Sequence, residues 1–169
     1  MSKFSSFDEA QTVNVSYPVA AAEAFVRDLI ALPSEDSGAG GRKKQPFRMV
    51  YMSVAWAEWN QFRTLWSDGK NRKIKGAAEK ALCDIADGEN AMGMFEVYCL
   101  RLGRVLAGGQ SIGNVATEAV STAISAERVA KCAHAVVLDG RTDEKGELVR
   151  LLENKDVLGD DWADINTIS

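Results

Sequence analysis

Pro46-Phe47-Arg48-Met49-Val50-Tyr51-Met52-Ser53-Val54-Ala55-Trp56-Ala57-Glu58-Trp59-Asn60-Gln61-Phe62-Arg63-Thr64-Leu65-Trp66 is the stretch on which the fold turns. Two periods compete in it. Met49, Met52, Ala55, Trp56, Trp59, Phe62 and Trp66 recur at close to 3.5 residues, the spacing of one helix face, and Pro46 suits a first helical position. Val50, Met52, Val54 and Trp56 alternate as a strand would, but over the first half only. The longer pattern predicts a helix whose aromatic stripe packs into a core.

On the N-terminal side, Val19, Ala22, Phe25, Val26, Leu29 and Ile30 mark a helix over residues 18–32, with Ser16 as its cap and Pro33 as its stop. Residues 12–15 alternate briefly, leaving room for a short strand. Residues 33–46 contain no large apolar side chain and read as a flexible loop, since nothing in them repays the entropy of ordering. On the C-terminal side, Ile74, Ala78, Ala81, Leu82 and Ile85 form an amphipathic helix that closes at Gly88. Residues 90–107 are apolar nearly all round, which suggests a helix buried on most sides. Residues 114–138 are the longest periodic run, and residues 143–154 present Leu148, Leu151 and Leu152 as a last short helix. The expectation is an all-α, single-domain bundle of about five helices over residues 1–155, followed by an acidic tail over residues 156–169.

Charge is unevenly distributed along the chain. Residues 42–75 hold Arg42, Lys43, Lys44, Arg48, Arg63, Lys70, Arg72, Lys73 and Lys75 against only Glu58 and Asp68, inside a chain of net charge −4. Segregation of this kind suits one surface to a polyanion. Four of these cations, Lys70, Arg72, Lys73 and Lys75, fall in the first turns of a predicted helix. The macrodipole disfavours positive charge there, so stability alone would not select them. The nine cations are therefore candidate phosphate contacts, carrying little sequence information. At the other end, Asp160, Asp161, Trp162 and Ile165 form a candidate partner-binding segment, with the aromatic and aliphatic side chains entering a pocket and the acids facing a basic rim. The same layout would allow one copy's acidic end to meet another's basic segment.

Other patterns carry less. Gly109-Gln110-Ser111-Ile112-Gly113 matches the G-x-S-x-G nucleophile elbow, but the only histidine, His134, precedes Asp139 in the reverse of the required order, and too little chain precedes Ser111 for the central strands of that fold. Residues 111–128 resemble a helix-turn-helix only faintly, because the turn lacks its glycine. Residues 38–44 do not satisfy the P-loop pattern. Cys83, Cys99 and Cys132 are odd in number and spaced neither as a redox pair nor as a zinc ladder, so they read as reduced core thiols of a cytoplasmic protein. No apolar run approaches the roughly 20 residues of a membrane span. Neither a cofactor nor a metal is expected. The sequence thus points to a non-enzymatic, nucleic-acid-associated protein, a small subunit of a larger nucleoprotein assembly. The alternatives are an adaptor, inhibitor or self-assembling protein using the same basic surface and, remotely, a serine hydrolase at Ser111.

Overall fold

A computed structural model describes residues 6–31, 45–91, 93–106 and 123–159. It is a mixed α/β protein with parallel strands, which overturns the all-α helical bundle. In chain order come α1 (Phe7–Gln11), a π-helical turn (Thr12–Ser16), α2 (Tyr17–Ala31), β1 (Phe47–Val54), α3 (Gly69–Asp87), β2 (Phe95–Leu102), β3 (Arg104–Leu106), β4 (Ala123–Ser125), α4 (Ala126–Asp139), β5 (Leu151–Glu153) and α5 (Asn154–Leu158). One sheet has the order β1-β2-β5, and β3 pairs with β4. The Phe47 N–H donates to the Met94 carbonyl and the Ala55 N–H to the Leu102 carbonyl, a constant offset that makes β1 and β2 parallel. Parallel neighbours need a long crossover, and α3 supplies it.

The described residues group into two compact units: Met1–Met49 with Glu58–Val97, and Val50–Ala57 with Tyr98–Ser169. In the first, α3 buries Ile74, Ala78, Leu82, Cys83 and Ala86, while α2 buries Ala22 and Val26. The Phe47 ring lies 4.7 Å from that of Phe25 and 6.0 Å from that of Phe95, joining α2 to the two strand starts through aromatic contact.

In the second unit, Tyr98, Leu100 and Leu102 of β2 pack with Ile124, with Val129, Cys132 and Val136 of α4, and with Leu152 and Val157. The parallel β2–β5 register sets Cys99 opposite Leu151 and Leu100 opposite Leu152. Ser125 caps α4 by accepting the Arg128 N–H at 3.2 Å, and Glu153 and Asp156 form a reciprocal capping box on α5.

Several expected elements are corrected. Residues 46–66 are a strand followed by an irregular connection, and residues 90–107 contain β2 and β3 in place of a buried helix. β2 is covered along both faces because it is the middle strand of a parallel sheet. The run 114–138 is helical from Ala126 to Asp139, with β4 before it; residues 114–122 lie outside the described set. Residues 143–150 are a turn and bridge, with Thr142 opposite Leu148. The possible strand at residues 12–15 is a π-helical turn, in which Thr12 Oγ1 and Asn14 Nδ2 donate to the carbonyls of Asp8 and Ala10 and hold the chain to a helical path. The helices expected over residues 18–32 and after Gly69 are present as α2 and α3.

Candidate functional site

In the first unit, residues 58–68 connect strand to helix without regular structure, and they are fastened to α3 at several points. The Glu58 N–H donates to the Arg72 carbonyl at 3.0 Å. Gly76 makes this crossing possible, because any Cβ there would overlap the Glu58 backbone. The Gln61 amide donates to the carbonyls of Glu58, Trp59 and Lys73 at 3.2, 3.4 and 3.1 Å. Trp59 donates its indole N–H to Glu79 Oε2 at 2.7 Å, and Glu79 is fully buried, so this bond is made where water cannot compete.

Within the connection, Glu58 accepts the Asn60 N–H at 2.9 Å and the Arg63 guanidinium at 2.9 Å. The Asn60 N–H, with Arg63 and Arg72 nearby, holds the Glu58 carboxyl below its ordinary range. Asn60 in turn accepts the Phe62 N–H at 3.0 Å. This knitted backbone carries two aromatic side chains with no cover: Phe62 is 97% exposed and Trp66 is fully exposed. The expectation that Trp56, Trp59, Phe62 and Trp66 form a core stripe is therefore corrected. Trp56, in the second unit, sits in the turn after β1 with a left-handed φ of 61° and is also exposed.

The first turns of α3 supply cations beside this connection. Arg72 acts on Glu58 electrostatically, and Lys75 is half-buried, its pKa pushed down by loss of water and partly restored by Glu79. Lys70 and Lys73 differ: among the described residues neither is matched with a carboxylate. Both line an open groove of about 450 Å³ whose remaining surface includes Phe7, Val15, Ile74 and Ala77, with Gln11 and Gln61.

The nine candidate cations are thus not equivalent. Arg48 is built into the fold, with its side chain 8% exposed and 2.8 Å from Glu96. Arg63 is paired with Glu58. Lys70, Arg72, Lys73 and Lys75 share α3. Arg42, Lys43 and Lys44 lie outside the described residues, as do Ser111 and the segment holding Asp160, Asp161, Trp162 and Ile165. His134 is exposed on α4. Cys83, Cys99 and Cys132 are buried, and none of them is in a disulfide. Among the described residues no grouping of His, Cys, Asp and Glu could hold a metal ion, and no helix is long and apolar enough to cross a membrane.

Sequence reasoning missed the exposed aromatics, the Gln61 brace and the groove. Asn60 and Gln61 fall between the stripe positions Trp59 and Phe62, where an amphipathic helix would carry polar residues anyway, so the sequence held no warning there. Comparison with family models, curated proteins and solved structures finds no match.

Proposed function

We propose that this chain is a non-enzymatic nucleic-acid-binding protein that engages the phosphate backbone through the first turns of α3. Residues 58–68 present Phe62 and Trp66 as sequence-tolerant stacking surfaces for bases. The observation that carries this reading is the coincidence of two lysines with no carboxylate partner among the described residues, Lys70 and Lys73, with two bare aromatics on the connection fastened to the same helix. Phosphate neutralisation needs the first and base stacking needs the second. Arg48 and Arg63 leave the proposed footprint because their charges are already met by Glu96 and Glu58. Arg42, Lys43 and Lys44 stay in it on charge alone. Service as a subunit of a larger nucleoprotein assembly fits this small binding surface, and the acidic segment with Trp162 would then face a protein partner.

Fluorescence anisotropy with a labelled single-stranded oligonucleotide tests the reading. Binding should weaken steeply with salt. Lys70→Glu with Lys73→Glu should cost at least tenfold in affinity, and Trp66→Ala should cost about 1–3 kcal/mol. Equal affinity of wild type and the double variant would defeat the proposal. A response to polyglutamate in place of the oligonucleotide would favour the adaptor reading.

A further inference from the structure

We propose that the groove lined by α1, the π-helical turn and α3 is a base pocket. One base of a single strand leaves its neighbours and lies against Phe7, Val15, Ile74 and Ala77, while Lys70 and Lys73 hold the phosphates that flank it. This rests on the nucleic-acid reading and narrows it to single strands.

The groove's own chemistry points there. Its volume of about 450 Å³ falls in the range of small-ligand sites. A purely apolar occupant would leave the two lysine ammonium groups at its edge without an anion. A purely ionic occupant would leave the apolar wall wet. A nucleotide answers both demands, with a flat, largely apolar base and an anion attached to it. Lys70 and Lys73 stand at i and i+3, on one face of the helix and roughly 5–6 Å apart at their Cβ atoms, so they can act together on one short stretch of backbone.

The groove wall holds a further observation. Val15 belongs to the π-helical turn Thr12–Ser16, and Gln11 immediately precedes it; both line the groove. A π-helical turn closes hydrogen bonds from i to i+5, as from the Tyr17 N–H to the Thr12 carbonyl, and such turns recur at functional sites. Here it falls at the groove. Duplex bases are already stacked and paired, so a pocket of this kind selects unpaired strands.

The test uses the full chain and fluorescein-labelled single-stranded and duplex oligonucleotides of equal length. Ala77→Leu fills the groove without altering charge. It should weaken single-strand binding about tenfold, the worth of one stacked base, while leaving the slope of affinity against salt unchanged. Lys70→Gln with Lys73→Gln should instead flatten that slope. Phe7→Ala, at an exposed helix start, removes one wall and should weaken binding in the same direction should Ala77→Leu prove unstable. Wild-type affinity in both groove variants, alongside weakened binding by the lysine variant, overturns the pocket and leaves the nucleic-acid reading standing. Equal affinity for duplex and single strand also overturns it. Failure of wild type to bind either oligonucleotide removes both. Displacement of a fluorescent fatty acid from the groove by oleate, with no response to oligonucleotide, reassigns the groove to a lipid and overturns the pocket.

Discussion

Gly76 lacks a Cβ because the Glu58 backbone occupies the space where one would sit. Glycine inside a helix costs about 1 kcal/mol relative to alanine, so Gly76→Ala would stabilise α3 in isolation. In the folded chain the overlap is with backbone, which cannot rotate aside as a side-chain tip could, and overpacking of this kind costs roughly 1–3 kcal/mol. The second effect wins. Gly76→Ala should lower stability in urea unfolding and raise hydrogen exchange at the Glu58 amide, whose bond to Arg72 is the first to be lost. Stability unchanged or raised would show that residues 58–68 are not held against α3 in the manner described. Cys132 offers a pH-dependent counterpart. It is fully buried, and burial pushes its thiol from an ordinary 9.0 up to about 11. The unfolded chain therefore loses this proton first as pH rises. The stability linked to the thiol is complete below pH about 9 and is lost between about 9 and about 11. Over that window wild type should lose on the order of 2 kcal/mol more than Cys132→Ala, measured as unfolding free energy at pH 8 and pH 11.

At the scale of elements, the sequence revealed those whose period was unambiguous. α2 and α3 have apolar residues at three and four over more than three turns, with no competing alternation, and both were legible. β1 was not. Its alternation covers only Val50, Met52 and Val54 of an eight-residue strand, and the aromatics beyond it happen to continue a helical spacing although they are exposed. β2 was misread for a different reason: a strand covered on both faces has no alternation left to see, and only its brevity and its valine and aromatic content separate it from a buried helix. The candidate site was half legible. Lys70 and Lys73 were visible as charges, but their availability depends on which neighbours are acidic in space, which sequence does not give. Arg48 shows the converse. It was counted among the phosphate contacts, whereas its guanidinium is buried against Glu96 at the starts of β1 and β2. Removing one partner of a buried pair strands the other charge, so Arg48→Met should cost about 3–5 kcal/mol. Arg48→Met with Glu96→Leu should recover most of that loss in thermal unfolding. A double variant no more stable than Arg48→Met alone would show that loss of Arg48 does not leave Glu96 as an uncompensated charge.

At the scale of the whole molecule, the proposed binding of a polyanion by a chain of net charge −4 works against the chain's average field, so it requires a local cluster of cations. The size of that cluster is measurable. For single strands the slope of log affinity against log salt is about −0.7 per phosphate neutralised. If all nine cations of residues 42–75 made contact, the slope would be roughly −6. The structure commits Arg48 and Arg63 to carboxylates and half-buries Lys75. With Lys70, Arg72 and Lys73 alone, the expected slope is about −2; with Arg42, Lys43 and Lys44 in the same footprint it is about −4. Anisotropy titrations from 50 to 300 mM salt, at roughly twofold steps, resolve these values. Replacing Arg42, Lys43 and Lys44 by glutamine then separates the last two cases: a slope that falls from about −4 to about −2 places residues 42–44 on the strand, and an unchanged slope confines binding to α3. A slope near −6 that persists in Lys70→Gln with Lys73→Gln would move the binding surface off α3 altogether, because neither lysine would then be neutralising a phosphate.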